Sequence, residues 1–381
     1  MCALRGVRVI EFCQIAAGPF CTQLLADMGA DVIKVEPPKG DSLRAWPPHT
    51  GGYGENFAAL NRNKRSIVLD LKTSDGVAAA KSLIAAAQVV VENNRPGAME
   101  RLGLGYRDVS RDRSDLIYCS ISAFGQTGPR RGDGGFDVSV QAVSGIMSVT
   151  GERNGPPLKA GVPVSDIGTA LYAAFAIASM LRRVAMGGPG GHVDLSMLGA
   201  SLGLATFQTS EYYGTGRDPL RHGSAHPRNA PYRAFKAADG FFVVAAGNDK
   251  LWQSVCAVLN RPDLADDDRF TTTALRARNQ DALAELLQVE FEKADVAVWV
   301  SKFRAANVPC EPVNSISQAI ADPQVAHLDL SRDVTLPGGN ATKILVNPLV
   351  IEGQRAPTGR APPGLGEHTL EILAEIKATL D

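Results

Sequence analysis

Residues 7–36, VRVIEFCQIAAGPFCTQLLADMGADVIKVE, decide the fold of the first part of the chain. They begin with a short apolar run, Val7–Phe12, pass through a loop into a helical pattern at Phe20–Met28, and end in a second apolar run, Val32–Glu36. Runs that are apolar on both faces are typical of strands in a parallel sheet covered by helices on both sides. The stretch therefore predicts a strand–helix–strand unit of a parallel α/β sheet.

The same alternation continues to about residue 214. Further strands are predicted at Ser66–Leu71, Val89–Glu92, Leu116–Ser122 and His192–Leu195, and helices at Gly76–Ala87, Val138–Val149, Thr169–Arg183 and Met197–Tyr213. A linker rich in Gly, Pro, Arg and His follows at Gly214–Tyr232. Beyond it we predict a smaller α+β unit with strands Tyr232–Phe235 and Phe241–Ala246 and helices Asp249–Leu259, Leu275–Lys293 and Ala297–Ala306.

The length of 381 residues favours two domains. After about residue 330 come strand-like pieces and a polar helix, Glu367–Leu380, with too few apolar residues for a core of their own. We therefore expect this tail to pack on the first domain. The predicted division is a discontinuous large domain, 1–214 and 330–381, and a linker with a small α+β domain, 215–329.

Composition favours a small-molecule partner. Lys plus Arg number 39 against 40 Asp plus Glu, so the chain lacks the positive excess typical of nucleic-acid or membrane-surface proteins. The longest uncharged stretches, 167–181 and 195–210, are shorter than the roughly 18–20 residues of a membrane span, and we predict buried helices. Six scattered cysteines and no recognisable secretory signal indicate a cytoplasmic protein.

The first loop, CQIAAGPF, lies where an α/β sheet binds nucleotides, but it lacks the G-x-G-x-x-G of dinucleotide enzymes. Glu36 ends the next strand and could imitate a ribose-binding acid, which leaves a nicotinamide-dependent oxidoreductase as a disfavoured alternative. Asn93, Arg95 and Arg101 follow the fourth strand and suit a phosphate, although solvated arginines are the plainer interpretation. Lys64, Arg65 and Lys72 likewise fit the charged ends of a strand.

His222 and His226 are four residues apart, a spacing that suits a metal only on a helix. Glycine, serine and a following proline make a helix there improbable, so we predict no metal site. Asp166 is the most suggestive acid, because it precedes a long apolar helix after the flexible segment GVPVSDIG. It is either the helix N-cap or, as an ionised carboxylate, a nucleophile.

Several motifs in order resemble the family III CoA-transferases, which include formyl-CoA:oxalate, acetyl-CoA:oxalate and carnitine CoA-transferases. The matching stretches are residues 8–41, NRNKRSIVLDLK (61–72), VVVENNRPGAMERLG (89–103), SISAFGQTGP (120–129), FDVSVQAVSGIMSVTG (136–151), PVSDIGTALYA (163–173), HVDLSM (192–197) and GNDKLW (247–252). The resemblance implies a Rossmann-like large domain, a smaller domain and an interlocked homodimer. It also implies CoA and acyl-CoA as substrates, without a prosthetic group.

By this resemblance Asp166 is the catalytic aspartate, which attacks the thioester of a donor acyl-CoA so that CoA passes to a small di- or hydroxycarboxylic acid through covalent aspartyl intermediates. The resemblance implies CoA contacts from Gln14, Leu69, Lys72, Asn93, Arg95 and Arg101. Gly247 and Asn248 stand where formyl-CoA transferases carry a glycine-rich cover of the active site. Arg44 and Arg130 or Arg131 are candidates for binding a second carboxylate.

Two alternatives remain. The α-methylacyl-CoA racemases share the fold and the CoA site, but they need a second acid/base group, a histidine where this chain has Phe136. A non-catalytic CoA-binding homologue is the other possibility.

Overall fold

A six-stranded parallel sheet lies at the centre of the larger of two units in this computed structural model, which describes residues 2–355 and 359–380. The strands before residue 200 are β1 Arg8–Phe12, β2 Asp31–Glu36, β3 His49–Thr50, β4 Tyr53–Gly54, β5 Lys64–Val68, β6 Val89–Glu92, β7 Ile117–Ser122 and β8 Gly191–Ser196. β3 and β4 form a separate hairpin, and the others lie in the order β5-β2-β1-β6-β7-β8. The predicted parallel α/β sheet is confirmed.

Among the described residues, these strands are accompanied by a short 3-10 helix, Ser42–Ala45, and ten α-helices: α1 Ala17–Asp27, α2 Glu55–Asn61, α3 Ser74–Ala85, α4 Ala98–Arg101, α5 Tyr106–Val109, α6 Asp137–Val143, α7 Ile146–Val149, α8 Val164–Ala185, α9 Met197–Leu204 and α10 Thr206–Thr215. The single helix predicted over residues 138–149 is two, because Gly145, at φ +84°, interrupts it. The helix predicted from Thr169 begins five residues earlier, at Val164.

The second unit comprises Met147–Leu158 and Asp218–Pro323, and the first takes the remainder of the chain. The sequence did not separate residues 147–158 from the larger unit. An antiparallel sheet of β9 Tyr232–Lys236, β10 Phe241–Ala245 and β11 Cys310–Pro312 packs with α11 Asp249–Leu259, α12 Pro262–Ala265, α13 Thr273–Arg278, α14 Gln280–Phe291 and α15 Val296–Ala305. The short helices α16 Ile316–Ile320 and α17 Pro323–His327 follow.

The C-terminal segment packs on the first unit. It forms two hairpins, β12 Ser331–Thr335 with β13 Ala341–Leu345 and β14 Val350–Ile351 with β15 Gln354–Arg355, and the helix α18 Thr369–Leu380. Ile372 and Ile376 of α18 are buried in the same apolar cluster as Ile10 of β1. The other face of the sheet, which includes Val9, packs against α1 and α8. Because successive strand residues point to opposite faces, β1 contributes to both cores.

Two uncharged helical regions are not buried as predicted. Only part of α8 packs on the sheet, and Phe175 on its outer side is 73% exposed. Phe207 of α10 is 74% exposed, and α10 has no buried residue. Length and apolar composition would also let α8 cross a membrane, as they would many core helices. The apolar pattern therefore marks surfaces that the single chain leaves uncovered.

Candidate active site

A cavity of about 460 Å³ opens where β1, β2, β5 and β6 end. Its walls include residues that directly follow these strands, among them Gln14, Leu69 and Asn94. The order of the six parallel strands reverses between β1 and β6, so the cavity lies at the topological switch point of the sheet. Open α/β sheets bind their ligands at this place, because loops from neighbouring strands diverge there and leave a crevice.

Three of the six predicted CoA contacts, Gln14, Leu69 and Lys72, line this cavity. Asn93 lies beside it and fixes the first loop. Its side-chain Oδ1 accepts the Gln14 N–H at 2.9 Å, and its Nδ2 donates to the Gln14 carbonyl at 2.9 Å. Asn93 therefore joins the ends of β1 and β6 across the cavity mouth.

Arg95 and Arg101 are exposed and do not line the cavity, although Ala98 and Met99 between them do. A Cβ on Gly97 would lie 3.2 Å from Nη1 of Arg101, so the missing side chain leaves room for this guanidinium. Gly97 also has φ +84°, which favours glycine. The two arginines thus flank the cavity on the segment that follows β6.

Glu36 is occupied by the protein itself. Arg44 donates to its two carboxylate oxygens at 2.8 and 2.7 Å, and Ser66 Oγ donates at 2.6 Å. The Arg44 guanidinium also stacks 3.6 Å from the centre of the Phe57 ring. These contacts leave neither Glu36 free for a ribose hydroxyl nor Arg44 free for a substrate carboxylate.

Lys64 and Arg65 are buried, contrary to the expectation of charged strand ends. The side chain of Lys64 is fully buried and pairs with Glu11 at 2.9 Å. Arg65 pairs with Asp31 of β2 and with Glu375 of α18. The strand begins at Lys64 rather than at Ser66, so both cations belong to the strand itself and not to the loop before it.

Asp166 lies in the first turn of α8, after the N-cap residue Pro163. The N-cap interpretation is therefore wrong, because Pro163 occupies the N-cap position and no side chain caps the helix there. The carboxylate is half-buried, and within residues 2–355 and 359–380 no group donates a hydrogen bond to it. Burial, with a smaller contribution from the negative charge of Asp137, raises the pKa of Asp166 to about 6.

Asp137, at the start of α6, braces the segment that leads to Asp166. Its Oδ1 accepts the Ser165 N–H at 3.0 Å, and its Oδ2 accepts from Gln141 Nε2 at 2.7 Å. Oε1 of Gln141 in turn accepts the Ala160 N–H at 2.9 Å. The sequence did not predict Asp137 as a site residue, because its contact with the start of α8 spans 28 residues. The only sequence signal was an acid directly after Phe136.

Gly247 and Asn248 belong to the second unit. Asn248 is the N-cap of α11, and its Oδ1 accepts the Leu251 N–H at 2.9 Å. A Cβ on Gly247 would meet no atom within 4 Å, so the backbone there is open. His222 and His226 lie in irregular structure before β9, and the part of the chain that the structure describes holds no group of three or more metal-ligating side chains.

The fold and its cavity define a doubly wound α/β protein with a cavity at the switch point of the sheet. Residues 4–369 match the model of CoA-transferase family III, and the chain belongs to this family. It is thus an enzyme that acts on CoA thioesters.

Two curated relatives and one solved structure agree with this assignment. A succinate–glutarate CoA-transferase of Agrobacterium fabrum is 40% identical, over 98% of this chain and 96% of its own length. The human succinyl-CoA:glutarate CoA-transferase is 37% identical, over 98% of this chain and 86% of its own. The crystal structure of a CaiB/BaiF family protein from Brucella suis matches with a TM-score of 0.88 and 36% identity, covering 98% of this chain and 99% of that one.

Proposed function

We propose that the chain moves CoA from a donor acyl-CoA to a small di- or hydroxycarboxylic acid, with Asp166 as the covalent nucleophile. The observation that carries the proposal is the half-buried Asp166 carboxylate without a hydrogen-bond donor among the described residues. Hydrogen bonds to a carboxylate stabilise its charge and reduce its nucleophilicity. A carboxylate with a pKa of about 6 is ionised at neutral pH and more basic than an exposed aspartate.

The chemistry proceeds by two kinds of covalent intermediate. The Asp166 carboxylate attacks the thioester carbonyl of the donor, which gives an aspartyl acyl anhydride and the CoA thiolate. The thiolate attacks the aspartyl carbonyl and releases the donor acid, leaving an aspartyl thioester. The acceptor carboxylate then attacks this thioester, and the returning thiolate takes the acceptor acyl group and frees Asp166. Every intermediate is an activated acyl group, so the energy of the thioester is conserved.

The cavity at the ends of β1, β2, β5 and β6 is the proposed CoA site. Leu69 supplies an apolar wall, and Gln14 and Lys72 supply polar groups. Lys72, Arg95 and Arg101 are the proposed phosphate partners, since exposed cations at the rim of a cavity suit the anionic end of CoA. CoA and acyl-CoA act as substrates, and no prosthetic group enters the proposed reaction.

The names of the relatives support a dicarboxylic acid as one substrate, because the bacterial name contains succinate and glutarate and the human name contains succinyl-CoA and glutarate. Arg130 stacks 3.7 Å from the ring centre of Phe124 and pairs with Asp133 at 2.9 Å, so part of its binding capacity is used. Arg131 beside it is exposed. This leaves Arg131 as the better candidate for a second carboxylate.

A racemase is the disfavoured alternative. Racemisation needs a second proton-carrying group opposite Asp166, and Phe136 carries none. Gly247 and Asn248 remain candidates for a cover of the active site, although Asn248 already serves as the N-cap of α11.

We further propose a cytoplasmic homodimer. The outer sides of α8 and α10 expose Phe175 and Phe207, together with Leu171 and Tyr213. Exposed apolar patches of this kind mark association surfaces in soluble proteins. A second copy of the chain is the partner that the family architecture implies.

Trapping of the intermediates tests the proposal. Incubation with acyl-CoA and hydroxylamine, or with borohydride, should modify the peptide that contains Asp166, as read by mass spectrometry. Asp166→Asn keeps the size of the side chain and should abolish both modification and transfer while the melting temperature changes little. Unmodified Asp166 during active transfer would exclude the mechanism.

The same assays separate the alternatives. Solvent deuterium at the α-carbon of a branched acyl-CoA would support the racemase. Thermal stabilisation by CoA, without exchange across a panel of donors and acids, would support a non-catalytic CoA-binding protein.

A further inference from the structure

The loop between β1 and α1, Cys13–Ala16, is held by side chains from other segments of the chain. Lys34 Nζ donates to the Cys13 carbonyl at 2.8 Å, and Asp41 Oδ1 accepts the Ile15 N–H at 3.2 Å. With the two bonds between Asn93 and Gln14, three consecutive residues of the loop have backbone polar groups bound by side chains. Glycine-rich loops that bind phosphate leave their backbone N–H groups free for the ligand. In this loop, side chains of the protein occupy the backbone groups instead.

Ile15 has an unusual backbone conformation, with φ +68°. A β-branched residue rarely adopts positive φ, because its side chain crowds the backbone there. Such a conformation persists only when surrounding contacts enforce it, and these outliers gather where a loop must be preset for a ligand. The hydrogen bond from the Ile15 N–H to Asp41 is one contact that holds Ile15 in this conformation.

Behind the loop lies a buried ion cluster formed by Glu11, Lys34, Asp41 and Lys64. Lys34 Nζ lies 2.8 Å from Glu11 Oε1 and 2.9 Å from Asp41 Oδ2, and Lys64 Nζ lies 2.9 Å from Glu11 Oε2. All four side chains are fully buried, and the two carboxylates balance the charge of the two ammonium groups. The register of the sheet places Glu11 of β1 directly opposite Lys34 of β2.

Each member of a buried, neutral cluster fixes the others, because any displacement would leave a charge without its partner in a region without water. Burial opposes ionisation of Glu11, but the two lysines outweigh it and lower its pKa to about 2. Asp41 also accepts the Leu43 N–H at 2.9 Å, which anchors it to its own turn. The cluster is thus a rigid base to which the loop is attached.

The loop forms one wall of the proposed CoA cavity, since Cys13 and Gln14 line it. We infer that Asp41, held by Lys34, is a positioning residue that presets the Gln14–Ile15 backbone for acyl-CoA. This inference rests on the proposed function, because it takes acyl-CoA as the occupant of the cavity. A loop that is already in its bound shape loses less conformational freedom on binding, so its affinity for the ligand is higher.

The experiment compares Asp41→Ala with Asp41→Asn. Asparagine keeps an oxygen that accepts the Ile15 N–H, whereas alanine removes it. We expect Asp41→Ala to weaken CoA binding about tenfold by calorimetry and to raise the KM for acyl-CoA by a similar factor, with kcat nearly unchanged. Asp41→Asn should stay within about threefold of wild type.

A second substitution tests the backbone directly. Asparagine tolerates positive φ better than isoleucine does, so Ile15→Asn should restore most of the lost affinity in the Asp41→Ala background. If Asp41→Ala does not fold, the same test is made in the Asp41→Asn background. The double variant that also carries Ile15→Asn should then bind CoA more tightly than Asp41→Asn alone.

Asp27→Ala is the matched control. Asp27 is another buried acid, paired with Arg62, but it lies at the end of α1 away from the loop. The Asp27→Ala substitution should lower the melting temperature without changing the affinity for CoA. Equal CoA affinities of wild type and Asp41→Ala, or no effect of Ile15→Asn in either background, would overturn the inference. A wild-type protein that neither binds nor exchanges CoA would instead overturn the proposed function.

Discussion

The position of Asp166 in the fold changes the pKa of its carboxyl group. The first turn of a helix favours negative charge, which acts to lower the pKa of an acid there. Burial of the side chain, aided by the charge of Asp137, outweighs this effect and raises the pKa to about 6. The residue is therefore ionised at neutral pH yet keeps the basicity that the proposed attack on a thioester requires.

The proposed role predicts a pH dependence. Only ionised Asp166 is a nucleophile, so kcat/KM for acyl-CoA should rise with pH through about 6 and then level off. Asp137→Asn removes the like charge while its Oδ1 can still accept the Ser165 N–H, so the midpoint should move to lower pH. The remaining effect of burial should keep it above the ordinary value of 3.8.

Rates measured from pH 5 to 8 check this shift. Asp133→Asn, in the exposed loop before α6, is the control and should leave the midpoint in place. An unchanged midpoint in Asp137→Asn would show that Asp137 has no electrostatic effect on the nucleophile.

Glu92 predicts an unusual dependence of stability on pH. Burial at the end of β6 raises its pKa from 4.5 to about 7. A carboxyl group with a raised folded-state pKa stabilises the fold below its unfolded pKa, and this contribution is lost as pH rises through about 7. Glu92→Gln has no charge to bury, so it should be more stable than wild type at pH 8, by up to about 3 kcal/mol.

Melting temperatures of both proteins at pH 4.5 and pH 8 measure the effect. The advantage of Glu92→Gln should be small at pH 4.5. Asp112→Asn changes an exposed acid in the loop before β7 and should give no pH-dependent difference. The same advantage at both pH values would argue against a raised pKa of Glu92.

At the scale of elements, α18 completes one side of the parallel sheet. Its Ile372 is fully buried with Ile10 and Leu83, and its acids pair with Arg65 of β5. Burial of Ile372 and Ile376 removes apolar surface from water and so stabilises the packing of this helix on the sheet.

This packing predicts contrasting effects within one helix. Ile372→Ala should lower the free energy of unfolding of the larger unit by about 2–5 kcal/mol, because it leaves a cavity in the core. Leu370, two residues earlier, is 85% exposed, and Leu370→Ala should cost less than about 0.5 kcal/mol. Urea unfolding of both variants makes the comparison, and similar costs would show that α18 does not pack as described.

The sequence predicted local elements well where local signals were strong. The bounds of β6, Val89–Glu92, and of α11, Asp249–Leu259, match those predicted. An apolar run defines β6, and the Asn248 cap defines the start of α11. It missed the burial of Lys64 and Arg65, because their acidic partners lie on other strands and on α18. Contacts between distant segments also decided that Asp166 lies inside a helix that begins at Val164.

For the candidate site, the recognised motifs located the loop ends that form the cavity. They did not reveal that Glu36 and Arg44 neutralise each other, nor that Asp137 lies near Asp166. Both facts depend on side-chain geometry after the chain has folded.

At the scale of the whole molecule, the apolar outer sides of α8 and α10 predict self-association. Replacing Phe175 and Phe207 with glutamate places charges on this surface and should convert a dimer into monomers, since a stable interface buries at least about 1,000 Å² of well-packed surface. Replacing both with leucine keeps the surface apolar and should leave the dimer intact.

Analytical ultracentrifugation of the two double variants and the wild type distinguishes these outcomes. A monomeric wild type, or glutamate variants that remain dimeric, would contradict the proposed association.

The late position of α18 in the chain also affects how the protein emerges from the ribosome. The core of the second unit draws on residues 230–310, so it can close while translation continues. One face of the parallel sheet waits for Ile372 and Ile376, which come more than 300 residues after Ile67 of β5. At about 5–20 residues per second, the part of this face that α18 covers beside α3 stays open for roughly 15 seconds to a minute. During that time the nascent chain presents an apolar surface to chaperones, so truncation before α18 should yield an aggregating product.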